Sequence, residues 1–407
     1  MCLEIRYANA AITKPTPIVD ERRVRENIAR MAEKAARAGV RFRPHFKTHQ
    51  SAAIGEWFRD GGVEAITVSS VTMASYFAEH NWKDITIALP VNLREADAIA
   101  ELAVKIDLGL LFDCVEAVTA IESALSAAKK RGDSLAGRPP HDGVVRAWIK
   151  IDAGYGRVGV RWDRSEEILA LARAISSCRW LRFEGILTHS GHSYRQEDIA
   201  GVRQVHEESL ARMRAVREML RTRVRQDASA MKRSEPLFER CLISIGDTPT
   251  CSTMESFPSA DEIRPGNFVF YDVMQWRLGV CGPADLGMAL ACPVIGVYPQ
   301  RGVIALYGGS AHLSSERVMV RAPEDGEETI VFGYLANFAG GEALGVPDAR
   351  LPVVNLTQEH GIVLAPSDAC AHVNVGDLVL VYPAHSCLTA AMHREYVTTI
   401  GERVRRM

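Results

Sequence analysis

The chain has 407 residues, with 48 Lys and Arg against 50 Asp and Glu and a formal net charge of −2. That balance leaves no broad basic surface for nucleic acid, and the length exceeds one ordinary core, so two domains are expected. Hydrophobic residues make up 47% and charged residues 24%, as in a globular enzyme. No run of about 18 apolar residues occurs, which argues against a membrane span. Met1 to Ala11, with Glu4 and Asn9, does not read as a signal peptide. Nine cysteines without a Cys-x-x-Cys pair predict reduced thiols in a cytoplasm rather than a disulfide framework.

From about Asp20 to Asp272, short β-branched runs alternate with helical patterns. Asp20 reads as an N-cap, Ile28, Met31, Ala32 and Ala35 form an apolar stripe, and Gly39 is the stop. Strands are expected at Val40–Phe46, Ala65–Ser69, Ile85–Leu89, Val144–Ile151, Phe183–Thr188 and Cys241–Ile245, and helices at Val115–Lys130, Arg164–Ser176 and Asp198–Arg225. Repeated strand–helix units imply a parallel sheet, and this many suggest a closed (β/α) barrel with its polar strand ends at one mouth. Lys129–Gly143 and Arg221–Pro236 read as surface loops.

After about Gln275 helical periodicity gives way to short strands: Ala289–Val297, Val303–Tyr307, Thr329–Leu335, Val353–Leu356, Gly361–Leu364, Leu378–Tyr382 and Tyr396–Ile400. Turn residues separate them, so a mostly antiparallel β domain is expected. The expected division is residues 14–275 for the barrel and 276–407 for the β domain, with residues 1–13 joining the latter.

Five clusters could carry chemistry. Phe42-Arg43-Pro44-His45-Phe46-Lys47-Thr48-His49 puts a lysine between histidines at a strand end. A desolvated lysine beside cations can present a neutral amine to an aldehyde, although a solvated strand-end lysine fits the octamer equally well. Gly246-Asp247-Thr248-Pro249-Thr250 suits a phosphate or an ordinary turn, and Tyr271 could reach the same anion. Lys150–Gly159 holds three glycines and Arg157, whose guanidinium could bond a phenolic oxygen or a carboxylate, or simply face solvent. Thr188–Tyr194 gathers two histidines and a tyrosine past another strand. In His385-Ser386-Cys387, extended backbone would put imidazole and thiol on one face, a pair suited to Zn²⁺ or to plain burial. His312 and His360 read as structural.

These motifs, in this order, resemble the metal-activated fold-type III pyridoxal phosphate (PLP) enzymes of the D-threonine aldolase and eukaryotic-type D-serine dehydratase family, over nearly the whole length. The resemblance implies a TIM-like (β/α)8 barrel and an antiparallel β domain, as in alanine racemase. It implies PLP on Lys47, a phosphate cup of Gly246, Thr248 and Tyr271, Arg157 near the phenolic oxygen, and Tyr194 or His192 near the ring. It makes His385 and Cys387 the ligands of Zn²⁺, Mn²⁺ or another divalent metal, and Lys47, His49 and His192 the catalytic candidates. It also implies a homodimer acting on a small D-amino acid. The Gly308–Ser314 segment is less typical of the family.

Two lyase outcomes share this site. In dehydration Lys47 takes the Cα proton and the metal polarises the departing β-hydroxyl; in aldol cleavage a base takes the hydroxyl proton and Cα–Cβ breaks. A thiolate ligand favours zinc, which the dehydratase branch uses, so β-elimination from D-serine or a close relative is the expectation. Cleavage of D-threonine or 3-hydroxy-D-aspartate is the alternative. An alanine-type racemase and a non-catalytic PLP carrier are the readings from other classes.

Overall fold

The structure is a computed structural model that describes residues 12–130, 145–231, 241–321, 328–337 and 344–407, without side chains at 224–231 and 337. Beyond Lys130 the expected loop Lys129–Gly143 lies outside the described residues. The chain forms two compact units: Met31–Lys47 with Gly62–Gly266, and Met1–Arg30 with Thr48–Gly61 and Asn267–Met407. This partition is more interleaved than 14–275 followed by 276–407.

The helix Glu21–Arg37 begins as its sequence signals. Asp20 Oδ1 accepts from the Arg23 N–H at 3.1 Å, Ile28, Met31 and Ala35 are buried, and Gly39 leaves the helix at φ +66°. Ala32 is half-buried at the margin of the stripe.

In the first unit the described strands form one parallel sheet, in the order Arg41–Phe42, Glu262–Ile263, Leu242–Ile245, Leu181–Leu187, Val145–Asp152, Asp107–Phe112, Asp84–Pro90 and Ala65–Val68. The segment after Phe42 closes it. His45 N–H donates to Pro265 O (2.8 Å) on one side; Phe46 N–H donates to Thr67 O and Thr67 N–H to Pro44 O (both 2.9 Å) on the other. The expected TIM-like barrel is therefore present, nearly closed through the bridge between His45 and Thr67. Val40–Phe46 is not one strand, because only Arg41–Phe42 follows a single neighbour before the chain bridges two.

Two barrel strands escape the sequence pattern. Asp107–Phe112 contains Gly109, where a Cβ would sit 2.5 Å from Thr86 Oγ1, so the glycine marks a close approach rather than a break. Glu262–Ile263 is too short to show a period. The barrel interior is partly ionic. Arg43 donates to Glu262 (2.6 Å) and Asp84 (2.5 Å), and Arg146 donates to Asp84 (2.5 Å) and Asp107 (2.8 Å). Burial opposes charge on Asp84, but Arg43 and Arg146 outweigh it and hold the carboxyl below its ordinary range.

The helix Ile199–Met231 extends past the expected end at Arg225. The segment from Arg221 to Met231 is thus helical rather than loop. The rest of Arg221–Pro236 lies outside the described residues.

In the second unit six strands form an antiparallel ring: Val303–Tyr307, His360–Leu364, Val346–Leu356, Gly333–Asn337, Leu378–Pro383 and Met288–Tyr298, which pairs back with the first. Leu290, Val294, Ile304, Leu306, Val353 and Val381 pack among its core. Thr16–Val19 pairs with Met288–Tyr298 and with Glu395–Thr398, so this stretch of the expected barrel domain belongs to the β sheet. Arg23 is fully buried here, donating to Leu286 O, Tyr382 Oη and Gly345 O at 3.1, 3.0 and 2.7 Å. The expected strand Thr329–Leu335 divides. Glu328–Val331 pairs with Val318–Arg321, whereas Gly333–Asn337 enters the ring. At Gly333 a Cβ would lie 2.4 Å from Tyr382 O, so only glycine lets the chain come this close. Among the described residues no helix is long and apolar enough to cross a membrane.

Candidate active site

In the first unit, the chemistry lies on segments that follow barrel strands. Phe46 is fully buried, edge-on to Phe77 and Trp82 at 5.0 and 5.1 Å, and anchors the turn from which Lys47 is exposed. The Lys47 N–H donates to His45 Nδ1 at 3.3 Å. Burial and then the cations Lys47, Arg264 and Arg157 hold His45 well below the usual imidazole pKa, so its ring is neutral.

His189, in the strand-end cluster Thr188–Tyr194, has Nδ1 2.6 Å from Gly246 O. A carbonyl only accepts, so Nδ1 carries the proton and Nε2 is left as an acceptor. Burial, then Lys47, Arg157 and Lys150, push this imidazole far below its ordinary pKa. The same loop brings together two expected residues: the Thr248 N–H donates to Tyr194 Oη at 3.1 Å. Asp247 between them accepts from Thr250 N, Thr250 Oγ1 and Ser193 Oγ at 2.8 Å each, while burial pushes its carboxyl up to about 6.

The glycine-rich loop is a tight turn around Asp152. Its Oδ1 accepts from Gly154 N and Gly156 N, both at 3.0 Å, and both glycines have positive φ. The loop carries Tyr155, whose ring is a hub. Arg157 and Arg195 lie over it at 5.0 and 5.8 Å, His192 stacks at 6.0 Å, and His189 meets it edge-on at 5.9 Å. A Cβ on Gly191 would come 2.5 Å from that ring. Burial and then Arg212 lower the pKa of the half-buried His192, whose Nδ1 has no partner among the described residues. Among the described residues no ion pair holds Arg157.

Two further cations of the first unit are buried. Arg264 donates to Ser244 Oγ at 2.7 Å and to Thr188 O, and burial lowers its pKa to about 10. Lys150, buried with its ammonium 3.2 Å from Ile151 O, is lowered to about 7 by burial, then by Arg264 and Arg157.

In the second unit, His385 caps the helix Ser386–Ala391. Its Nδ1 lies 2.8 Å from Asp272 Oδ2, which also accepts from Ser386 N (3.0 Å) and Asn267 Nδ2 (2.8 Å). Asp272 Oδ1 caps its own helix by accepting from Gln275 N at 3.0 Å. Asn267 Nδ2 also reaches Ser386 Oγ (2.8 Å) and Cys387 Sγ (3.5 Å), and Thr48 Oγ1 is 3.2 Å from Cys387 Sγ. His385 and Cys387 hydrogen-bond each other. Burial opposes charge on the imidazole, but Cys387 and Asp272 raise its pKa well above the ordinary value. The two side chains thus meet not on a strand, as the extended reading supposed, but at a helix start. Asp272, Asn267 and Thr48 were not identified as its supports. Among the described residues no group of three or more His, Cys, Asp or Glu side chains could hold a metal.

Other expected residues sit differently. Tyr271 lies in this second unit, buried, at φ +48° with its N–H on Asn267 O at 2.7 Å. His49 is fully buried and stacked on Phe58 at 5.4 Å; its Nδ1 accepts from Ser51 N, and burial lowers its pKa to about 3. That is the setting of a neutral imidazole. His312 approaches Glu359 (3.7 Å), and its carbonyl bonds the His393 ring at 3.0 Å.

Comparison with known proteins adds the following. Residues 19–272 match the family model "Alanine racemase, N-terminal domain", and residues 287–399 match the model "Putative serine dehydratase domain". The chain is 28% identical to D-serine dehydratase of Dictyostelium discoideum over 400 residues, covering 95% of this chain and 93% of that protein. It is 28% identical to D-threo-3-hydroxyaspartate dehydratase of Delftia sp. over 396 residues, covering 94% and 93%. A cysteine-to-alanine variant of a D-threo-3-hydroxyaspartate dehydratase, solved in its metal-free form, superposes with a TM-score of 0.80 at 25% identity, covering 98% of each chain.

Proposed function

Because the chain belongs to the alanine racemase N-terminal domain family, we propose that it is a PLP- and divalent-metal-dependent lyase of β-hydroxy D-amino acids. The favoured reaction is dehydration of D-serine or a close relative to a keto acid and ammonia. One observation carries the choice of lyase over racemase. His385 and Cys387 converge with the imidazole backed by Asp272, a pair that racemisation does not need, in a chain similar along its length to two dehydratases.

The residues fit both groups. PLP is an anion, and the first unit gathers Lys47, Arg157, Lys150 and Arg264 around the neutral rings of His45 and His189. Close glycines and the Thr248 N–H beside Tyr194 suit a phosphate. In the second unit, an imidazole fixed through Nδ1 leaves Nε2 for a metal beside a thiolate. Two protein ligands leave positions for water or a substrate oxygen. When bound, PLP supplies an electron sink for Cα and the metal a Lewis acid for the β-oxygen.

The chain's own residues then divide the work. Lys47 would hold the cofactor, and its amine would take the Cα proton. Arg157 orients the cofactor's phenolic oxygen, with Tyr155 holding the guanidinium by a cation–π contact. Gly246, Thr248 and Tyr194 would bind the phosphate end, and Tyr271 and His192 would be further contacts. His189, locked as the Nδ1–H tautomer, offers an acceptor and does not compete as a cation. Zn²⁺ is the metal that the thiolate favours. The assembly is a homodimer in the cytoplasm.

A panel of D- and L-β-hydroxy amino acids with PLP and Zn²⁺ or Mn²⁺ tests the reading. Keto acid with ammonia supports it, glycine with an aldehyde replaces dehydration by aldol cleavage, and inverted enantiomer alone overturns the lyase.

A further inference from the structure

Thr48 follows Lys47 in the chain, yet its side chain serves the other candidate group. Its Oγ1 lies 3.2 Å from Cys387 Sγ, and the residue is fully buried. When Cys387 is a thiolate it can only accept, so the hydroxyl donates. The next residues are held from the same unit. Tyr396 Oη donates to His49 O at 2.7 Å, and the Met407 N–H to Gln50 O at 2.7 Å. The peptide leaving the lysine is therefore tied at three successive residues, and only the first tie runs to the metal pair.

We infer that Thr48 is a positioning residue that couples the metal at Cys387 to the PLP lysine. This rests on the proposed function, which supplies both groups. Metal at Cys387 fixes the sulfur, the sulfur fixes the Thr48 hydroxyl, and the Thr48 backbone is one peptide bond from Lys47. Coupling of this kind is reciprocal: the metal alters how the lysine holds PLP, and bound PLP alters metal affinity by the same factor.

The test uses the full chain, wild type and the variants Thr48→Val and Thr48→Ser, each loaded with PLP and then titrated with Zn²⁺ against a chromophoric chelator. The visible absorbance of bound PLP is recorded with and without metal. In the wild type, stripping zinc shifts the absorbance or the pH midpoint of bound PLP. Thr48→Val, nearly isosteric, binds zinc about tenfold more weakly and loses that metal-dependent shift. Thr48→Ser, which keeps the hydroxyl, restores both. If Thr48→Val responds to zinc as the wild type does, with equal affinity, the coupling is overturned. So it is if a wild type holding both groups shows no response to metal removal. Failure of the wild type to bind PLP or zinc at all would instead overturn the proposed function. If Thr48→Val does not fold, Thr48→Ser and Thr48→Ala take its place: equal zinc response in the two overturns the inference, and loss in Thr48→Ala alone supports it.

Discussion

Oδ2 of Asp272 lies 2.8 Å from Nδ1 of His385. A carboxylate there fixes which ring nitrogen carries the proton and turns the other toward a ligand. Replacing Asp272 by Asn keeps the shape and removes the charge. Zinc affinity is expected to fall about 10- to 100-fold while PLP stays bound. Chelator competition checks this, and unchanged affinity would refute the role of Asp272.

Lys47→Ala is expected to abolish the visible absorbance of bound PLP and nearly all turnover. Spectra after adding PLP to the purified variant decide it. A variant that keeps both would transfer the role to another amine, and Lys150, buried and lowered to about 7, is the next one to replace.

The buried ion pair of the barrel should behave unlike a surface one. Glu262→Ala leaves Arg43 with only Asp84 as counter-ion inside the barrel and is expected to cost about 3 kcal/mol or more. The double variant Arg43→Met/Glu262→Ala should lose less than the sum of Arg43→Met and Glu262→Ala made singly, because neither charge is then stranded. Urea unfolding of the three variants gives the coupling.

His206 makes an acid-side prediction. It is buried against Phe257 at 5.8 Å, and burial lowers its pKa to about 4. Unfolded, it titrates near 6.5. The unfolded chain therefore binds the proton first, and stability present above pH 6.5 is lost as pH falls from 6.5 towards 4, by up to about 3 kcal/mol. His206→Leu should lose less stability than the wild type between pH 7 and pH 4.5. Equal losses by urea titration would show that this ring is not responsible.

Much of the barrel was legible because parallel strands buried on both faces read as short β-branched runs between helical periods. Asp107–Phe112 was hidden by Gly109, whose reason is a neighbour's hydroxyl rather than a turn. Thr16–Val19 looks like any strand, and only pairing tells which sheet takes it. The lysine, arginine and His-x-Cys motifs announce themselves by residue type. Asp272, Asn267 and Thr48 do not: each lies over 100 residues from Cys387 in sequence, and their role comes from distance in space alone. His49, near the lysine in sequence, is fully buried, which its residue type does not announce.

The most direct test of the account is to incubate the protein with PLP and D-serine or 3-hydroxy-D-aspartate, before and after exhaustive chelation, and to measure keto acid, ammonia and enantiomer together. The account predicts keto acid and ammonia in equal amounts, lost on chelation and restored by Zn²⁺. Undiminished turnover after chelation, yielding only the inverted amino acid, would contradict it.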